Sequence, residues 1–129
     1  MLEYDVNCTY SDIFCFSTTR HGGHSTGPYT SFNCNHYCGD SWENVLRNRE
    51  LLLRLLPDGG SCRLIIPHQT HNDHVRLLDE AFLRLRPDEQ AAAREGVDAL
   101  VGHVPGTCLC ISTADCIPVL CYDPLRRCM

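Results

Sequence analysis

Features that mark nucleic-acid, membrane or secreted proteins are missing from this 129-residue sequence. Lys and Arg form no clustered run and the formal net charge is −5, which argues against a nucleic-acid or anionic-membrane partner. No apolar run approaches bilayer length, and the first ten residues, MLEYDVNCTY, lack the basic and then apolar pattern of a signal peptide. We therefore predict a cytoplasmic protein that binds a small molecule.

Paired cysteine and histidine motifs are also missing, although the chain has ten cysteines and seven histidines. The C-x-x-C pairs of structural zinc sites do not occur, and no two histidines form an H-x-H pair. Without a secretory signal, the cysteines are predicted to be reduced and mostly structural, acting as small hydrophobic residues. This prediction covers Cys8, Cys15, Cys62, Cys108, Cys110 and Cys121.

Length and hydrophobic patterning predict one domain over residues 1–129, without internal repeats. Alternating strands and helices predict an α/β fold, a layered sandwich with a mixed β-sheet. Strands are predicted at residues 13–18, 62–66, 74–78, 98–101, 108–112 and 117–122. Helices are predicted at residues 42–56, 79–86 and 87–95. Asp40 and Glu43 form the predicted cap of the first helix, whose solvent face would carry Arg47, Arg49 and Arg54.

Three polar segments hold the candidate functional residues. In the long loop at residues 20–39, Arg20 and Asn33 are candidates for contacts to phosphate, ribose or base, the alternative being a solvated loop. The segment PHQTHNDHV places His71 opposite His68 and His74 if it is extended, which leaves those two as solvated residues. Cys116 lies between two predicted strands. The residue pattern leaves three roles open for it: metal ligand, nucleophile or small core residue.

The ordered motifs of the chain resemble those of the YfiH-type family, long labelled multicopper polyphenol oxidase or laccase domain and now described as purine nucleoside phosphorylases. The resemblance extends from Phe14 to Pro124. It consists of TRHGG, PYTSFN, YCGD, RNRELL, Q-x-H at residues 69–71, GVDALV, PG and STADCIPVL. Several motifs in one order are far more specific than any one of them.

The resemblance implies a metal centre of two histidines and one cysteine. The family's Q-x-H histidine matches His71, and its Ala-Asp-Cys cysteine matches Cys116. Its second histidine belongs to a His-Ala-Gly-Trp-Arg-Gly type motif that this sequence lacks, so the expectation is a truncated domain, the N-terminal half to two-thirds of the family's. Asn72 also departs from the glycine that many members have there.

By the same resemblance, the expected activity is zinc-dependent phosphorolysis of adenosine, inosine or methylthioadenosine, with adenosine deamination as a related activity. The expected partners are a purine nucleoside and phosphate, and the expected metal is zinc, with copper as the alternative. The predicted roles are catalysis by Cys116, His71 and Arg20, metal ligation by His71 and Cys116, and substrate binding by Arg20, Asn33, Gln69 and Asp115.

Three other functions stay open from the sequence. Cys116 could be a nucleophile with His71 as its base, in a hydrolase or a peptidoglycan-editing factor. A copper-dependent polyphenol oxidase is a second alternative, against which the missing H-x-H pairs argue. The third is an inactive fragment that only binds a partner or self-associates through unpaired strands.

Overall fold

A computed structural model describes residues 2–129, except for the side chains of Val6 and Cys8, so the prediction for Cys8 lies outside the described residues. The chain divides into two compact units between Gly60 and Ser61. That residues 1–129 form a single domain stays a prediction. Among the described residues, no helix is both long enough and apolar enough to cross a membrane.

The first unit contains one long helix and a small antiparallel strand pair. Its elements are β1 (Leu2–Glu3), α1 (Val6–Thr9), β2 (Phe16–Ser17), a 3₁₀ turn (Gly27–Tyr29) and α2 (Trp42–Arg54). Strand β2 occupies only the end of the predicted strand, and it pairs with β1 so that Leu2 lies opposite Ser17. The long loop predicted before α2 is confirmed, apart from its 3₁₀ turn.

Helix α2 buries one face through Val45, Asn48 and Leu52, which are spaced three and four residues apart. The predicted cap of this helix is wrong, because Ser41 occupies the N-cap position and the Asp40 carboxylate accepts hydrogen bonds from Ser25 and Asn33 instead. The Asp40 side chain therefore binds the preceding loop and does not cap the helix.

The predicted solvent face of α2 is confirmed for Arg47 and Arg54, which are exposed, and is wrong for Arg49. Arg49 is half-buried because its guanidinium packs over the Trp42 ring, 5.4 Å from the ring centre, and donates to the Cys34 carbonyl at 2.9 Å. The aliphatic stem and planar head of an arginine allow this placement.

The second unit alternates strands and helices, as the α/β prediction requires. Its elements are β3 (Arg63–Ile65), β4 (Val75–Leu78), α3 (Glu80–Arg84), α4 (Pro87–Ala93), β5 (Ala99–Gly102) and β6 (Thr107–Leu109). Strands β3 and β6 are parallel, with Leu64 opposite Cys108, and β4 and β5 are parallel, with Leu78 opposite Gly102. The predicted α/β class, with strands in both parallel and antiparallel pairs, is confirmed.

The core of the second unit forms around Ile65, Leu78 and Phe82. Asp79 caps α3 by accepting a hydrogen bond from the Phe82 backbone N–H at 2.8 Å, which fixes the first turn of the helix. Partly buried Leu100 and Leu109 pack against this cluster. All four strands of the unit and helix α3 therefore contribute a side chain to it.

The predicted strand at residues 117–122 is wrong. Its apolar side chains face solvent, with Ile117 88% and Val119 74% exposed, and Cys121 is exposed rather than buried. A strand needs a hydrogen-bonded neighbour, and within residues 2–129 this segment joins none of the three strand pairs. Its β-forming composition therefore does not decide its conformation.

Candidate functional site

Two loops that carry predicted ligands leave the same end of a parallel strand pair. The His71 loop follows β3 and the Cys116 loop follows β6. Two hydrogen bonds connect the chain beyond β6 with β3 and the His71 loop: the Cys110 N–H donates to the Ile65 carbonyl at 3.0 Å, and the Ser112 N–H donates to Gln69 Oε1 at 2.7 Å. Carboxyl ends of parallel strands are common ligand sites in α/β proteins.

The turn at residues 69–72 presents an exposed His71 with a left-handed backbone, φ 61°. Asp98 holds this turn by accepting backbone hydrogen bonds from His71 at 2.9 Å, Asn72 at 2.8 Å and Thr70 at 3.3 Å. A left-handed conformation costs a non-glycine residue roughly 1–2 kcal/mol, so these bonds compensate for local strain.

The other two histidines of this segment are engaged separately. His68 Nδ1 pairs with Glu95, and His74 Nδ1 donates to the Gly96 carbonyl at 3.1 Å. The interpretation of His68 as a solvated residue is therefore wrong: it is half-buried beside an acid, whereas His74 is exposed. Both His68 and His74 therefore contact the segment at residues 95–96.

Cys116 and Asp115 lie on an exposed bend after β6, and Cys116 is a free thiol. In this structure Cys116 is therefore not a core residue, and its roles as ligand or nucleophile stay predictions. Cys34 differs, because burial raises the pKa of its thiol to about 11 although Arg49 opposes the shift. The Cys34 thiol is thus less acidic than an ordinary cysteine thiol.

In the first unit, Arg20 and Asn33 both hold the long loop together. Arg20 donates through Nε and Nη2 to the Thr30 carbonyl, at 3.1 and 2.9 Å. Asn33 Nδ2 donates to Asp40 Oδ2 at 2.9 Å and to the Asn35 carbonyl at 2.9 Å. The predicted substrate contacts of both residues stay predictions.

The sequence prediction missed Asn48, a fully buried amide that organises this loop. Its Oδ1 accepts from the His24 N–H at 2.7 Å, and its Nδ2 donates to the Asn33 carbonyl at 2.7 Å and to Ser25 Oγ at 2.9 Å. A polar residue three positions after Val45 and four before Leu52, on the apolar stripe of α2, was the available signal.

Hydrogen bonds lower the pKa of two carboxyls in these loops. For Asp40, burial raises the pKa, but bonds from Ser25, Asn33 and the Ser41 N–H outweigh it. For Asp98, burial likewise raises the pKa, but the three N–H bonds from residues 70–72 and the charge of His71 outweigh this effect and lower it. Both groups are therefore carboxylates at neutral pH.

The Asp40 network predicts a specific acid sensitivity. Because the folded pKa is lowered, the stabilisation is present above the ordinary pKa near 4 and is lost as pH falls below it. We expect Asp40→Asn to be less stable than the parent at pH 7 and to lose less free energy of unfolding below about pH 4. Denaturant titrations followed by Trp42 fluorescence measure this; equal pH slopes for the two proteins would refute it.

The donor set fits a soft or borderline metal in type. One imidazole and one thiolate suit zinc or copper, and a catalytic zinc takes three protein ligands. Among residues 2–129, however, no group of three His, Cys, Asp or Glu side chains is arranged to hold a metal ion. That His71 and Cys116 are metal ligands stays a prediction, and a site of the catalytic zinc type would need a third protein ligand besides them.

The backbone strain at His71 gives a direct stability test. His71→Gly and His71→Ala both remove the imidazole, but only glycine adopts the left-handed conformation without cost. We expect the glycine variant to exceed the alanine variant by about 1 kcal/mol in free energy of unfolding. Chemical denaturation measures the difference; an alanine variant at least as stable would show that the turn is not left-handed.

Comparison with known proteins gives consistent matches over most of the chain. Residues 14–129 match the family model described as multi-copper polyphenol oxidoreductase laccase. A protein of Bacteroides thetaiotaomicron named purine nucleoside phosphorylase is 47% identical over 95% of this chain and 45% of its own length. Adenosine deaminase RL5, from an unknown prokaryotic organism, is 41% identical over 94% of this chain and 46% of its own.

Solved structures agree with the sequence matches. The crystal structure of the Bacillus licheniformis hypothetical protein YfiH superposes with a TM-score of 0.66 and 25% identity, over 84% of this chain and 40% of that one. The chain therefore spans a little under half the length of the relatives that it matches. By its family-model match and these relatives, the chain belongs to the multi-copper polyphenol oxidoreductase laccase family, the YfiH-type family.

Proposed function

We propose that this chain supplies His71 and Cys116 to the metal centre of a purine nucleoside phosphorylase that acts on adenosine, inosine or methylthioadenosine. The observation that carries the proposal is the 47% identity, over 95% of the chain, to a relative named purine nucleoside phosphorylase. The chain covers 45% of that relative, so the proposed site includes groups from outside residues 1–129, among them a third ligand.

The geometry of the second unit supports this role. Parallel strands β3 and β6 bring the His71 and Cys116 loops to one edge, and the bond between Gln69 and Ser112 ties the two loops together. Imidazole and thiolate suit zinc, with copper as the alternative, and such an ion supplies Lewis-acid chemistry when bound. In this proposal Gln69 fixes the loops, while Asp115 accepts hydrogen bonds from the substrate.

The reaction requires a site for phosphate and one for the nucleoside. A phosphate oxygen attacks C1′ of the ribose as the glycosidic bond breaks, and the purine leaves with the electron pair and takes up a proton. We assign Arg20 to the phosphate, since a guanidinium matches its oxygens, and Asn33 to the nucleoside. The products are a purine base and ribose 1-phosphate.

Product analysis tests this function. The chain is joined to the part of the Bacteroides thetaiotaomicron relative that the match leaves uncovered, and incubated with adenosine and phosphate. We expect adenine and ribose 1-phosphate by liquid chromatography, and losses of at least about 100-fold in His71→Ala and Cys116→Ser. His103→Ala and Cys121→Ser, at exposed positions, serve as matched controls. No product from the folded, metal-loaded protein would reject the function.

Adenosine deamination is the second candidate, favoured by the 41% identity to adenosine deaminase RL5. Water then replaces the 6-amino group, and the products are inosine and ammonia. The same incubation without phosphate separates the two activities, because deamination continues and phosphorolysis stops.

Self-association through the exposed segment at residues 117–120 also stays a proposal. The test is whether the molecular mass of the protein in solution increases with its concentration.

A further inference from the structure

We propose that Asp98 is a positioning residue that fixes the direction in which His71 is presented; this inference rests on the proposed role of His71 as a metal ligand. The carboxylate accepts hydrogen bonds from three successive backbone amides. Oδ1 accepts from His71 at 2.9 Å, and Oδ2 accepts from Asn72 at 2.8 Å and Thr70 at 3.3 Å.

Three successive N–H groups that converge on one anion require an unusual backbone, and the left-handed φ of His71 provides it. A bond from Asn72 Nδ2 to Thr70 Oγ1, at 3.0 Å, closes the same turn. Both carboxylate oxygens accept from amides of residues 70–72, so Asp98 acts directly on the turn. Its bonds stabilise the one conformation that presents the imidazole.

Asp98 is well placed for this role because its own backbone is held firmly. It lies between buried Val97, which is 3% exposed, and the first residue of β5. The Asp98 N–H donates to the His74 carbonyl at 3.0 Å, and the Val97 N–H donates to the His68 carbonyl at 3.1 Å. A residue at the end of a strand holds a ligand-bearing loop in a more precise position than contacts within the loop alone.

The His71 turn is thus held on two sides. Asp98 fixes residues 70–72 from the β5 side, and Ser112 binds Gln69 from the β6 side. The carboxylate supplies two oxygens at fixed positions, which an amide or a longer acid does not reproduce. Both Asp98→Asn and Asp98→Glu should therefore loosen the turn without removing a donor atom from the proposed metal set.

The test measures the turn and the ligand in one protein. In the 15N-labelled joined protein of the product analysis, amide hydrogen exchange at residues 70–72 is recorded without metal, and Zn²⁺ is then titrated while the His71 imidazole signals are followed. We expect faster exchange and about tenfold weaker zinc binding in both Asp98 variants. Asp123→Asn is the matched control, because Asp123 also accepts from two backbone amides, those of Leu125 and Arg126.

Each other outcome overturns the inference in a recognisable way. Unchanged exchange at residues 70–72 would show that Asp98 does not hold the turn. Faster exchange with unchanged zinc affinity would reduce Asp98 to a structural residue. If zinc leaves the His71 signals of the joined parent protein unshifted, the metal role in the proposed function fails, and the positioning role fails with it, even where the metal-free exchange data show a tightly held turn.

Discussion

Asn48→Leu should destabilise the first unit by roughly 3 kcal/mol or more. Leucine is similar in size, but it leaves the His24 N–H and the Asn33 carbonyl without the buried partner that the amide provides. An unsatisfied buried polar group costs about 1–3 kcal/mol, and here several arise together. The loop that carries Arg20 and Asn33 should therefore lose its fixed conformation.

Trp42, the one tryptophan of the chain, begins α2 and reports on this unit by fluorescence during denaturation. Arg47→Leu is the matched control, since it introduces leucine at an exposed position of the same helix and should change stability by less than about 0.5 kcal/mol. If the two variants unfold at the same denaturant concentration as the parent, Asn48 does not organise the loop.

Gly23→Ala should have a comparable effect for a different reason. A Cβ at this position would lie 2.3 Å from the Ser31 carbonyl oxygen, 2.5 Å from Phe32 Cα and 2.6 Å from Asn48 Oδ1. Two of these atoms belong to the backbone, so the overlap is relieved only by separating the two loop segments. We expect the free energy of unfolding to fall by about 3 kcal/mol, which is the upper end of the usual range for overpacked sites.

The neighbouring glycine supplies the control for this substitution. Gly22 has a left-handed φ of 87°, but a Cβ there would meet open space. Gly22→Ala should thus cost only the backbone strain, about 1 kcal/mol. Thermal and denaturant unfolding of the two variants measure the difference, and an alanine at position 23 that costs no more than one at position 22 would contradict the close packing.

Local sequence pattern predicted most of the observed helices and strands. The apolar spacing in α2 and the Pro and acidic start of α4 predicted these helices, and the apolar runs around β3, β4, β5 and β6 predicted these strands. Residues 117–122 show the limit, because strand formation depends on a neighbour that the segment's own composition does not specify.

For the candidate site, the sequence predicted donor atoms but not the contacts around them. His71 and Cys116 come from motifs shared with the family, whereas the contacts that hold them depend on pairs distant in the chain, such as Gln69 with Ser112 and Asp98 with Asn72. Asp98 lies in the GVDALV motif, but nothing in the sequence connects it with the turn at residues 69–72. Asn48 was detectable as a polar residue on an apolar stripe, but its partners were not.

The metal content of the joined protein tests the central claim most directly. It is measured by mass spectrometry of the purified protein, for the parent chain, Cys116→Ser and the exposed-thiol control Cys121→Ser. We expect one zinc per chain in the parent and in Cys121→Ser, and loss of that zinc in Cys116→Ser. A Cys116→Ser protein that keeps its zinc, or a metal-free parent that is active and is inactivated by thiol reagents, would contradict it.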